Sequence, residues 1–240
     1  MNWLVLREPI NAWSHGVWAL AALPATMLLW RLCRGDRAKQ LSLGAFGVSL
    51  FLCFGGSSLY HGVRLPAEDI EICRQIDHIG IYLLIAGTVT PAAVVLLTGW
   101  WRGVTLSVAW GAAILGIMLQ IAWPLAPQWL STSIYVSIGW GLCLSYFAMG
   151  RVLRPGGMRP AWVGGMLYTI GAMLNLAGWP RLVPGVFSTH ELWHLFCIAG
   201  SSLHIWFMIR NVVPFERPQL QPAIVLAGPM PAMGFGVSAQ

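Results

Sequence analysis

Residues 76–98 read IDHIGIYLLIAGTVTPAAVVLLT. A helix of about 20 mostly apolar residues is long enough to cross the hydrocarbon of a bilayer. After Asp77 and His78 no charged residue interrupts this run. Working outward, six further stretches have the same character, at roughly 12–30, 42–63, 104–123, 131–150, 161–179 and 188–209. Polar or proline- and glycine-rich breaks separate them: RLCRGDRAKQ, VRLPAEDIEICRQ, TGWWRG, WPLAPQW, RVLRPGGMRP and GWPRLVPG. VRLPAEDIEICRQ, ahead of the third stretch, reads as the most polar loop. The expected fold is therefore an all-α membrane protein, a seven-transmembrane helix bundle over residues 1–213. Residues 214–240 read as a proline- and glycine-rich tail of poor order, because its IVLAG segment is far too short to span.

The composition agrees. Of the 240 residues, 57% are hydrophobic and only 9% charged, against about 25% charged in an ordinary soluble domain. Helices that are apolar nearly all round carry little amphipathic signal, so the few polar residues become the informative ones. The formal charge of +6 would suggest nucleic acid in a soluble protein. Here the basic residues fall at helix ends, where anchoring and topology account for them, and no nucleic-acid partner is expected. The five cysteines form no CxxC pair and give neither a disulfide framework nor a thiolate metal site. Arg7 and Glu8 interrupt the first stretch, so the first span is expected to remain in the mature protein. With seven spans, four Lys/Arg fall on the side of the N-terminus and ten on the other. By the positive-inside rule the C-terminus is then cytoplasmic.

A titratable group inside a span is costly and marks function by default. His61 ends the second span in SSLYH, Asp77 opens the third, and His190 and His194 open the seventh in HELWH. Alternating spans bring all four to one side of the membrane at one depth. His190 and His194 are about 40° apart around their helix and about 6 Å apart along it, so both rings can reach one ion. Three imidazoles with a position left open is a catalytic zinc arrangement, and neutral nitrogen ligands suit zinc. His61, His190 and His194 are thus the candidate metal ligands for Zn²⁺. Asp77 is placed to accept from a ligand or to hold the metal-bound water. Ser57, one turn before His61 on the same face, is placed to bond the aspartate or the water; packing at a helix crossing explains it equally well. His15 reads as a histidine bonded to Asn11 or a loop, with a fourth ligand as the alternative. His78 points about 100° away from Asp77, toward another helix, and His204 lies about 15 Å beyond His194, too far for the same ion.

HELWH also fits the HExxH expression of zinc proteases, in which the glutamate is the base. Taken together, however, EPINAWSHG, SSLYH, DHIGIYLLIAGTVTP and HELWHLFCIAGSSLH resemble the motifs of the hemolysin III family, the bacterial branch of the progestin and adiponectin receptor family. That family's pattern is HxxxH with the second position free, so Glu191 fits the protease expression by chance and is expected at the interface near Arg181. The resemblance implies a zinc ion on His61, His190 and His194, a water contacted by Asp77, and Ser57 nearby. It also implies a cytoplasmic N-terminus, opposite to the charge count, in a multi-pass protein of the bacterial inner membrane.

The resemblance further implies a role in membrane lipid homeostasis, and the eukaryotic relatives are linked to hydrolysis of ceramide-like lipid amides. The leading expectation is a zinc-dependent intramembrane hydrolase of acyl lipids, with a membrane lipid as its partner. The alternatives are a non-catalytic zinc-stabilised receptor or sensor, a pore-forming haemolysin, and an HExxH membrane metalloprotease.

Overall fold

A computed structural model describes residues 6–180, 182–183 and 186–216. Its helices are α1 (Pro9–Leu32), α2 (Arg37–Gly62), α3 (Ala67–Leu96), α4 (Gly99–Ala122), α5 (Gln128–Gly141), α6 (Cys143–Gly150), α7 (Arg159–Ala177) and α8 (Thr189–Phe207), the last running on into a π turn at Met208–Val212. Among the described residues the only β feature is an isolated bridge between Val183 and Phe187. The chain is an all-helical, multi-pass membrane protein. Six segments are long and apolar enough to cross a bilayer: α1, α2, α3, α4, the combined Gln128–Gly150, and Thr189–Val212. The seventh expected span, α7, is helical but shorter, and Asn175 and three glycines dilute its apolar character. The expected tail lies outside the described residues from position 217 onward.

Local chemistry sets the helix ends. Pro9 stands in the first turn of α1, where its missing N–H costs nothing. Asp36 caps α2 by accepting from the Lys39 amide at 3.0 Å. The largest departure from the sequence reading is at α3. The segment read as the most polar loop is mostly helix, and the connection shrinks to residues 63–66. Glu68 and Asp69 in its first turn complement the helix dipole. Arg74 closes a two-pronged pair on Glu71 at 2.9 and 2.7 Å and also reaches the Pro124 carbonyl of the next loop on that side. Hydropathy measures preference for lipid, whereas a charged helix can continue past the membrane edge. The fifth expected span is likewise one pass in two pieces, broken at Leu142 (φ −87°, ψ 2°).

α2 packs between α1 and α3; α3 in turn meets α4, α7 pairs with α8, and α1 meets α8. The core centres on Phe46, Leu50 and Phe54 of α2 with Tyr82 of α3, all 1% exposed or less. The α2–α3 contact is close because Gly80 has no side chain: a Cβ there would lie 2.7 Å from the Cys53 Cα. The indole N–H of Trp18 donates to Ser201 Oγ at 2.8 Å, joining α1 to α8. At the far end Lys39 Nζ donates to the carbonyls of Val213 (3.0 Å) and Phe215 (2.6 Å). These contacts fix how the start of α1, the end of α2 and the start of α8 meet.

Candidate metal centre

The start of α1 is stitched to the end of α2 by backbone bonds from the Arg7 amide to the Gly62 carbonyl (3.2 Å) and from the Glu8 amide to the His61 carbonyl (2.9 Å). This places the Glu8 carboxylate on His61, whose Nδ1 donates to Glu8 Oε2 at 2.6 Å. On α8, His190 Nδ1 faces Asn175 Oδ1 of α7 at 3.3 Å. With both Nδ1 atoms carrying the ring protons, each Nε2 presents a lone pair. These two Nε2 atoms face each other at 3.3 Å. Two bare lone pairs at that distance repel unless a cation or a shared proton stands between them.

His194 completes the group, and the ligand atoms of His61, His190 and His194 all lie within 4.8 Å of one another. Zinc bound through nitrogens at about 2.0–2.1 Å in a tetrahedron sets its ligand atoms about 3.3 Å apart. The first pair already stands at that separation. The donor chemistry, the locked outer nitrogens and the spacing therefore fit a metal ion held by three imidazoles. His61 and His194 are each 2% exposed, and His190 is partly buried. Glu8, outside the membrane span, is held below its ordinary carboxylate range. Desolvation raises it, but the His61 imidazole, the Asn11 hydrogen bond and Arg7 together outweigh that effect.

Two of the three histidines, His190 and His194, line one end of a cavity of about 150 Å³. His15, Ser57, Asp77, His190 and His194 line that end, and mostly apolar side chains of α2, α3, α5, α7 and α8 line the rest. Trp140 and Thr169 lie in the wall between α5 and α7, joined by an indole N–H to hydroxyl bond of 3.2 Å. Around them Gly139, Gly141 and Gly165 face open space, with nothing within 4 Å of where a Cβ would stand.

Sequence comparison assigns this architecture to a family. The sequence model described as "Haemolysin-III related" matches residues 3–205. The chain belongs to the haemolysin III family. It is similar to Hemolysin-3 of Bacillus cereus, with 31% identity over 216 residues, covering 89% of this chain and 95% of that protein. It is also similar to the Hemolysin-3 homolog of Bacillus subtilis (strain 168), with 30% identity over 200 residues, covering 82% and 91%.

Set against the sequence reading, the haemolysin III fold brings His61, His190 and His194 into one group and puts Asp77 and Ser57 on the same cavity wall. Asp77 and Ser57 share no hydrogen bond. His15 departs from its expected pairing with Asn11. Its ring stacks on His194 with centroids 3.7 Å apart, meets Phe54 edge-on, and has no hydrogen-bond partner on either nitrogen among the described residues. Asn11 is engaged elsewhere, donating to Glu8 Oε2 at 3.1 Å and to Glu191 Oε1 at 3.0 Å. His78 turns back on its own helix and donates to the Arg74 carbonyl at 2.8 Å.

Glu191 is the third residue of a capping box. Its carboxylate accepts from the Ser188 amide at 2.7 Å while the Ser188 hydroxyl covers the backbone N–H groups that open α8. It thus caps the helix and, through Asn11, ties α8 to α1; Arg181, its expected neighbour, lies outside the described residues. Sequence reasoning missed Glu8 as the partner of His61 and Asn11 as the link from Glu8 to Glu191. Their signal was present: positions 8, 11 and 15 share one face of a helix.

Proposed function

We propose that this haemolysin III protein is a zinc-dependent hydrolase of acyl lipids, cleaving a ceramide-like amide within a seven-pass bundle of the bacterial plasma membrane. In that bundle α5 and α6 together form the fifth pass and α7 the sixth. One observation carries the reading: of three convergent imidazoles, two line an apolar cavity together with a carboxylate. A ligand set of three leaves an open position, whereas structural zinc sites close with four protein ligands. Bound there, zinc would lower the pKa of a coordinated water toward neutrality and polarise a carbonyl.

The remaining roles belong to the chain's own residues. His61, His190 and His194 would hold the ion, the first two through the Nε2 atoms that face each other. Glu8 and Asn175 keep the outer nitrogens of His61 and His190 protonated, so the lone pairs point inward. The Asp77 carboxylate takes the proton of the attacking water and returns it to the leaving nitrogen. Ser57, beside it, orients that water. The apolar walls accept the acyl chain and exclude bulk water. The chain enters laterally between α5 and α7, where the glycines leave room.

The test is Asp77→Asn in purified, zinc-loaded protein with a fluorescent N-acyl amide lipid. Zinc content should remain that of the wild type while turnover falls on the order of 10²- to 10⁴-fold. Wild-type turnover in the variant would refute the assignment of the base.

A further inference from the structure

The far end of the cavity carries a second polar group that the hydrolysis above does not use. His204 is 3% exposed and lines the cavity. It stands ten residues beyond His194 on the same helix, about 15 Å away. Its Nδ1 lies 2.8 Å from the Gly200 carbonyl. A carbonyl can only accept, so Nδ1 carries the proton, and Nε2 of the neutral ring is an acceptor. The ring is held in this pose on two sides. Tyr168 stacks on it with centroids 5.5 Å apart. On α7, Gly164 leaves room for it, since a Cβ there would meet Cε1 at 2.6 Å and Nδ1 at 2.7 Å. Among the described residues Nε2 has no hydrogen-bond partner.

Several other polar groups on the walls are engaged within the protein. Thr88 donates to the Leu84 carbonyl at 2.6 Å, Tyr135 pairs with Thr132 at 2.8 Å, and Thr169 donates to the Gly165 carbonyl at 3.0 Å. His204 therefore leaves a fixed acceptor deep in a mostly apolar chamber, beside the Tyr168 hydroxyl, which is buried and has no hydrogen-bond partner among the described residues. A purely hydrocarbon ligand would bury it unsatisfied, which is costly. A ligand with a hydrogen-bond donor at that depth would satisfy it.

We propose that the cavity selects acyl chains bearing a hydroxyl far from the carboxyl end, with His204 Nε2 accepting that hydroxyl's hydrogen. This rests on the reading of the cavity as an acyl-lipid site and names the chain chemistry it prefers. The amide N–H of a ceramide-like substrate lies at the metal end, so the distant donor has to be a substituent of the chain. Hydroxylation some ten to twelve carbons along is the class that spans about 15 Å.

The test is direct binding, with no turnover required. Stearate, 12-hydroxystearate and 12-oxostearate, the last an acceptor only, compete for a fluorescent fatty acid on purified protein in nanodiscs. The wild type should prefer the hydroxy acid over both others on the order of three- to tenfold, the weight of one buried neutral hydrogen bond. His204→Phe keeps an aromatic ring against Tyr168 and removes the acceptor; it should bind stearate at least as well as the wild type and lose the preference. Equal binding of the three acids to the wild type overturns the proposal, and that comparison needs no variant. A preference that survives in a folded His204→Phe protein also overturns it, by assigning the recognition elsewhere. No displacement by any of the acids removes the acyl-site reading itself, and the proposal with it. Binding without selectivity leaves that reading standing and removes only the role of His204.

Discussion

Glu8 offers the sharpest test of how the centre is held together. It lies 53 positions before His61, it is not a proposed ligand, and its carboxylate meets His61 Nδ1 at 2.6 Å. That short, charge-assisted bond fixes the ring proton on the outer nitrogen and raises the basicity of Nε2. Removing such an outer partner typically costs 10- to 100-fold in metal affinity. Here the Glu8 side chain is 38% exposed, so water can partly replace it, which favours the lower end. Glu8→Ala is expected to weaken zinc binding about tenfold, or about 1.4 kcal/mol. Glu8→Gln keeps an acceptor and loses the charge. Because a charge-assisted bond is roughly twice as strong as a neutral one, the loss should be about half in free energy, or about threefold. The assay is competition with a zinc chelator on purified protein, with the metal-free unfolding midpoint of each variant as a control for folding. If Glu8→Ala binds zinc as tightly as the wild type, or if Gln is worse than Ala, the carboxylate does not position His61.

Other outcomes follow from the same geometry. Glu191→Ala removes the capping partner of Ser188 and one end of the Asn11 bridge. It should lower stability by about 1 kcal/mol while keeping hydrolysis within about tenfold of the wild type; a collapse of activity as deep as that of Asp77→Asn would return Glu191 to the role of base. Gly80→Ala puts a methyl 2.7 Å from the Cys53 backbone. It should destabilise by about 1–3 kcal/mol and lower the unfolding midpoint, and an unchanged midpoint would show that α2 and α3 are not held as closely as described. Gly55→Ala, which faces open space on α2, is the matched control and should hold or slightly raise the midpoint, since alanine favours the helix over glycine.

The sequence made the helices legible because bilayer thickness imposes a length that composition alone reveals. It was less informative where helix and membrane part company. Residues 67–75 are helical yet charged, and a hydropathy reading assigns them to a loop. α7 is helical yet carries Asn175, and α5 yields to α6 at Leu142 inside one apolar run. The histidine triad was legible because histidines are scarce in spans and alternation fixes which ends share a side. The partners of those histidines were not. Asn11 reaches Glu191 across 180 positions, and no periodicity in helices that are apolar all round encodes which faces meet. His15 was misread for the same reason: its neighbour is His194, from the last helix, rather than a residue one turn away. Glu191 was obscured in the opposite sense, since a capping box and a protease motif place a glutamate at the same position.

Metal analysis tests the central claim most directly. Wild-type protein purified without added metal, beside a His190→Ala, His194→Ala double variant, is assayed for bound metals by mass spectrometry. One zinc per chain in the wild type and none in the variant is the predicted result. Equal zinc in both proteins, or no metal in a folded wild type that also fails to take up added zinc, would contradict it.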